Sequence, residues 1–167
     1  VRLYLFRHAA AVPHGTPRYL EDERPLTPDG HAQARKVAAG LQRLNVEPGL
    51  ILTSLLRRAV ETAEEVAQAW PSPLPIKTLE ALMPEAPAKQ TSLVLKAWAS
   101  QKELILVGHE PHLSLWLAEL VAPGGLRCDF KKAGVACVEL DQVPPPSGSG
   151  TLRWFMTPKA LAKIGQG

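Results

Sequence analysis

Only two cysteines, Cys128 and Cys137, occur in 167 residues. That is too few for a disulfide-stapled secreted fold, and their spacing does not match a zinc motif. A reducing compartment is the default for such a chain. Long apolar runs are missing as well. The longest, such as 104–107, fall far short of the ~20 residues that span a bilayer, and Arg7 interrupts the first apolar stretch before a secretory signal could form. The expectation is a soluble, cytoplasmic protein with no membrane partner. Charge of one sign is also scarce. Nineteen Lys and Arg stand against 16 Asp and Glu, a formal charge of +3, too mild an excess to imply nucleic acid as a partner. At 46% hydrophobic and 21% charged residues, the composition is that of an ordinary globular chain and not of a disordered or collagen-like one. No internal repeat is present, and the length fits a single domain over residues 1–167.

What is there alternates between two periods. Residues 2–6 are strand-favouring and stop abruptly at Arg7-His8. After a loop over 9–26, Thr27-Pro28-Asp29 opens a helix, with threonine as cap and proline in the first turn. Apolar positions 34, 37, 38, 41 and 44 carry it forward on one face. The run 50–53 reads as a buried parallel strand, and Ser54 after it can cap a second helix reaching Trp70. Residues 76–79 suggest a minor strand. Residues 89–100 suggest a helix with Leu93, Val94, Ala97 and Trp98 turned inward, and 104–107 another buried strand before a helix opened by Pro111. Two strand-like runs, 135–140 and 151–156, flank a Pro- and Gly-rich loop. Strand alternating with helix predicts an α/β fold: a mostly parallel central sheet with helices on both faces.

In open α/β sheets the ligand crevice lies beyond the carboxyl ends of the strands. Three such ends carry unusual residues here: Arg7-His8, then 54–58, then Gly108-His109. Arg57 and Arg58 fall in the first turn of a helix, where the dipole prefers acids, so the pair suggests an anionic ligand. Arginine, a helix terminus and two histidines around one point would form a cationic cup suited to a phosphoryl group. Flanking arginines disfavour a charged imidazole, so His8 is expected to stay neutral and nucleophilic near pH 7. Spacing alone does not separate Arg57 from Arg58. Arg18 and Arg24, on the long first loop, are candidates for the rim of the pocket, and His14 for its mouth. His109 and His112 are three residues apart, but Pro111 intervenes and no third ligand is evident, so no metal is expected.

Arg7-His8 after the first strand, the central Ser54-Leu55-Leu56-Arg57-Arg58-Ala59-Val60-Glu61-Thr62-Ala63 and Gly108-His109 after a later strand resemble the motifs of the histidine phosphatase superfamily, phosphoglycerate mutase included. Arg24-Pro25-Leu26-Thr27-Pro28-Asp29-Gly30, Leu82-Met83-Pro84, Gly108-His109-Glu110-Pro111 and Met156-Thr157-Pro158 look most like its small bacterial phosphohistidine phosphatases of the SixA type. The resemblance implies a phosphoglycerate mutase-like three-layer α/β/α sandwich, transient phosphorylation of His8, phosphate binding by Arg7, Arg58 and His109, and no cofactor. Ala9, Ala10 and Leu55 depart from residues common at those places in the family.

Expelling an alkoxide from a phosphate ester calls for a proton donor. Glu85, and less so Glu80, are the candidate general acids, though neither stands in the mutase-like acid motif. A leaving imidazole, with a conjugate acid near pKa 6.5, needs little help. The expected activity is therefore that of a metal-independent phosphohistidine phosphatase acting on a phosphorylated protein. Two alternatives stand beside it. One is a small-molecule phosphomonoesterase whose partner is a phosphorylated metabolite, and the other a non-catalytic module that binds phospho-ligands.

Overall fold

In the computed structural model, which describes residues 1–167, β1 (Arg2–Arg7) lies inside a six-stranded sheet with β2 (Leu50–Thr53), β3 (Ile76–Thr78), β4 (Glu103–Gly108), β5 (Val135–Glu139) and β6 (Thr151–Met156). The strand order is β3-β2-β4-β1-β5-β6. The first four in that order run parallel, while at one edge β5 pairs antiparallel with β1 and β6 antiparallel with β5. Period-2 alternation sorts the side chains onto two faces. Leu3 and Leu5 face one core cluster with Leu104, Leu106, Leu113 and Trp116. Tyr4 and Phe6 face another with Ile105, Val107, Val37, Leu41 and Ala63. The first core is covered by α3 (Ala88–Val94) and α4 (His112–Val121), the second by α1 (Pro28–Arg43), α2 (Arg57–Ala67) and α5 (Pro158–Gln166). This is the expected three-layer α/β/α arrangement, and none of its helices is long and apolar enough to cross a membrane.

The Thr27 cap is present: its hydroxyl accepts from the Gly30 amide at 3.0 Å. Three local expectations differ. Ser54 does not cap α2, because its hydroxyl is taken up by His109, and the cap position falls to Leu56. That helix also ends at Ala67 and not at Trp70, whose indole instead donates to the Val46 carbonyl at 3.2 Å. The third concerns 89–100. The α-helix stops at Val94 and continues as 3-10 turns over Leu95–Trp98, so the helical spacing assumed for that segment does not hold. Leu93 is 64% exposed, Ala97 is exposed, and Val94 and Trp98 are only partly buried. Thr91, Ser92 and Leu95 take the inner face. The two polar residues are tolerated there because Thr91 donates to the Ala81 carbonyl at 2.7 Å and Ser92 accepts from the Trp116 indole at 3.0 Å.

One α-helix went unforeseen. Thr157-Pro158 repeats the cap-and-proline signature of Thr27-Pro28, and α5 follows it, with the Thr157 hydroxyl accepting from the Ala160 amide at 3.3 Å. α5 lies directly on α1, where Gly40 lets the two backbones meet: a Cβ there would fall 2.2 Å from the Leu161 carbonyl oxygen.

Candidate active site

The parallel register places three strand ends side by side. Arg7 pairs with Gly108 across β1 and β4, and Thr53 with Val107 across β2 and β4. The next residues in each chain segment, His8, Ser54 and His109, therefore converge at the carboxyl edge of the sheet. They open into a cavity of about 410 Å³ whose lining includes Arg7, His8, Arg24, Arg58, His109 and Lys132, and no hydrophobic residue. The His8 and His109 ring centres are 5.0 Å apart. Four cationic side chains line the cavity, Arg7, Arg24, Arg58 and Lys132, against two carboxylates, Glu21 and Glu110. The excess of positive charge suits an anion.

His8 is 7% exposed. Its Nδ1 lies 2.8 Å from the Ala9 carbonyl oxygen. A carbonyl only accepts, so Nδ1 carries the proton and Nε2 keeps its lone pair. Burial, with Arg58, Arg7 and Lys132 adding repulsion, pushes the His8 pKa down to about 3. The arginines, from which a neutral ring was expected, are thus the lesser cause of the lowered pKa, and desolvation is the larger one. The Ala9 loop is held in turn by Thr62, which accepts from the Ala9 amide at 3.0 Å and donates to the Arg58 carbonyl at 2.7 Å. One buried hydroxyl thus ties the His8 loop to the helix that carries Arg58.

Arg58 and Arg57 part company at the start of α2. Arg58 is 5% exposed, with Nη1 donating to the Glu21 carbonyl at 3.0 Å. Arg57 points to solvent and pairs with Glu61 at 2.7 Å, away from the cavity. The Arg7 side chain donates from Nη1 to the Phe130 carbonyl. The Nε atoms of Arg7 and Arg58 and Nδ1 of His109 are buried without a hydrogen-bond partner in the protein. His109 is also held neutral, its pKa pushed down to about 2 by burial and by the neighbouring His8, Arg58, His112 and Arg7.

Of the rim candidates, Arg24 lines the cavity and donates to the Val12 carbonyl at 2.6 Å and to Glu21. His14 lines it as well, bonded to Glu21. Arg18 does not. Its guanidinium lies over the ring of Tyr19, 5.6 Å from the centroid, outside the lining. Glu85 and Glu80 line a separate depression with Leu55 and Met83. Glu110, which does face the cavity, is committed to α4, accepting from the Ser114 amide at 3.1 Å and from its hydroxyl. His112 is bonded to Thr91 at 2.9 Å and stacked on Trp116. No group of three or more His, Cys, Asp or Glu side chains is placed to hold a metal ion. Lys132, Glu21 and Thr62 are the residues at the site that sequence reasoning missed, and Ser54, expected at one of the three strand ends as a helix cap, meets His109 instead. Ser54 and Thr62 stand within the central motif, which was the available signal. For Lys132 there was none, because only the turn before β5, with Ala133 donating to the Arg7 and His8 carbonyls, carries it to the cavity.

Residues 3–84 match the histidine phosphatase superfamily (branch 1). An uncharacterised protein of Picosynechococcus sp. is 39% identical over 140 residues, covering 81% of this chain and 82% of that protein. The phosphohistidine phosphatase SixA of Escherichia coli is 29% identical over 160 residues, covering 95% and 94%. Among solved structures, the protein histidine phosphatase SixA complexed with tungstate superposes with a TM-score of 0.84 at 29% identity, covering 96% of this chain and 99% of that one. With its motifs converging on one cationic cavity and its fold shared along almost the whole length, the chain belongs to the histidine phosphatase superfamily and is SixA-like.

Proposed function

We propose that the chain is a phosphatase that works through a phosphohistidine intermediate at His8, with protein-borne phosphohistidine as its preferred substrate. The single observation that carries this is the His8 ring itself: Nδ1 is spent on the Ala9 carbonyl, so a neutral Nε2 is left free among cations.

In the first step the Nε2 lone pair attacks phosphorus in line. The bond from phosphorus to the leaving group breaks, and its electron pair departs with the leaving group, which takes a proton from solvent. In the second step water attacks the phosphoryl group, the P–Nε2 bond breaks, its electrons return to the imidazole, and inorganic phosphate leaves with a proton released to solvent. The transition state of each step is loose, with charge spread over the equatorial oxygens, so fixed donors and alignment do most of the work. Arg7, Arg58 and His109 are the proposed donors, with Arg24 and Lys132 adding charge at the rim.

The preference for phosphohistidine rests on the acids. Glu85 lines a different depression, Glu110 is bound to Ser114, and Glu21 is held ionised by Arg24 and His14, its pKa pushed down to about 2. No carboxyl group at the cavity is thus both protonated and free to serve an alkoxide. A leaving imidazole does without one. The test compares turnover of a phosphohistidine peptide, a phosphoserine peptide and small phosphate esters by wild type and His8→Ala. The expected result is fastest turnover of phosphohistidine and none by the variant. Faster turnover of a small ester would replace the substrate assignment, and an active His8→Ala would remove the mechanism.

A further inference from the structure

The two imidazoles at the floor of the cavity are set up in opposite senses. His8 donates its Nδ1 proton to a carbonyl and keeps Nε2 bare. His109 is reached by a different group. Ser54, fully buried at the end of β2, brings its hydroxyl against His109 Nε2. The other contact of that oxygen is with the Leu56 amide at 3.4 Å. An amide N–H only donates, so one lone pair of the serine oxygen is used there, and the single hydroxyl proton is left for His109 Nε2. An Nε2 that accepts places the proton of a neutral imidazole on Nδ1. That nitrogen is buried, has no partner in the protein, and belongs to a ring that lines the cavity. The reverse tautomer would present a lone pair to an anion and leave the serine proton without an acceptor.

From this geometry we infer that Ser54 is a positioning residue of the phosphoryl-transfer site: its hydroxyl fixes His109 as the Nδ1–H tautomer, so that His109 donates a hydrogen bond to a phosphoryl oxygen. The inference rests on the phosphatase reading above for its catalytic consequence, but the tautomer is a property of the resting protein. Two imidazoles 5.0 Å apart then divide the work, one giving a lone pair to phosphorus and the other a hydrogen bond to oxygen. A backbone carbonyl selects the first and a side-chain hydroxyl the second.

The experiment reads ring nitrogen-15 shifts and two-bond proton–nitrogen correlations of His109 in the full chain at pH 7.5. Wild type shows the Nδ1–H form. Ser54→Ala moves His109 toward the Nε2–H form, while His8 keeps its own pattern. A wild-type His109 found as Nε2–H overturns the inference without any variant having to fold. Turnover supplies the second arm. Ser54→Ala lowers kcat about 10- to 100-fold, the scale for losing a partner that orients a neighbouring group and less than the ~100- to 1000-fold for losing an oxyanion donor outright. Ser54→Thr, which keeps the hydroxyl, recovers most of it. In a His109→Ala background, Ser54→Ala adds no further loss. Full activity in Ser54→Ala, or an equal loss in both backgrounds, refutes a role through His109. A wild type with the Nδ1–H tautomer and no activity on any phosphate compound would instead remove the phosphatase reading.

Discussion

Adjacent arginines at the head of α2 provide the sharpest contrast between neighbouring side chains. Arg58 is buried against the cavity, and Arg57 is exposed on a surface pair with Glu61. With Arg57 half exposed, solvent screens the pair and its contribution is small. Arg57→Ala is therefore expected to leave turnover within about twofold of wild type, whereas Arg58→Ala loses both turnover and binding of vanadate, as steady-state kinetics and titration would read. His8→Ala keeps weak vanadate binding, because the donors remain, and loses turnover. The pH profile follows from the same burial. A His8 pKa near 3 means that the proposed nucleophile is neutral throughout pH 5–8. Once the substrate's own second ionisation, about 6 for a phosphomonoester, is accounted for, kcat/KM has no acidic limb from an enzyme imidazole in that range. A limb near 6.5 that survives the correction would show a solvated, titrating His8.

Helices α1 and α5 show how an element can serve the site or only the fold. At the start of α1, the Thr27 amide donates to the Ala10 carbonyl at 3.0 Å. A Cβ at Gly30 would fall 1.9 Å from that same carbonyl oxygen. Further along, Gly40 meets only the backbone of α5. Both substitutions to alanine force backbone apart, at a cost of about 1–3 kcal/mol for overpacking, which outweighs the ~1 kcal/mol that alanine gains in helix propensity. Gly30→Ala pushes on the loop that carries His8, so it lowers kcat by about tenfold or more as well as stability. Gly40→Ala lowers the denaturation midpoint while turnover at 25 °C stays unchanged. Equal effects of the two on kcat would show that the Ala10 contact does not position His8. The sequence already indicated α1 through its cap, proline and apolar period. It also contained the same cap signature for α5, but α5 is short and contributes one fully buried side chain, Leu161, so its periodicity is faint. The inward face of α3 was misread for a related reason. Burial there follows hydrogen-bond satisfaction of Thr91 and Ser92 more than hydrophobicity.

Taken as one cooperative unit, the molecule keeps three histidines neutral inside it. The pKa of His8 is pushed down to about 3, that of His109 to about 2 and that of His112 to about 4, burial being the main cause for each. In the unfolded chain they titrate near 6.5. Between the two values the unfolded state binds more protons, so stability rises with pH across that window and is lost as pH falls below about 6.5. His112 lies away from the cavity lining and isolates the effect. Its full contribution, reached below about pH 4, is of the order of 3 kcal/mol. His112→Gln, with an amide able to meet Thr91, should flatten the fall of Tm between pH 6.5 and 4 measured by calorimetry. An unchanged slope would mean that His112 is charged in the folded protein.

The sequence by itself determined the six strands and helices α1 to α4 in their order, because periodicity, caps and strand-end motifs are local, and it put Arg7, His8 and His109 at the ends of strands, while its spacing did not separate Arg57 from Arg58. It also determined that the positive charge had to matter locally, since the net excess is small. Tertiary structure alone decided which of two adjacent arginines faces inward, that Arg18 and Glu85 stay outside, that Lys132 arrives from the turn before β5, and which proton each imidazole carries. Those outcomes depend on groups far apart in the chain. Ser54 and His109, separated by 55 positions, become hydrogen-bonded only because parallel pairing of β2 with β4 sets their strand ends level.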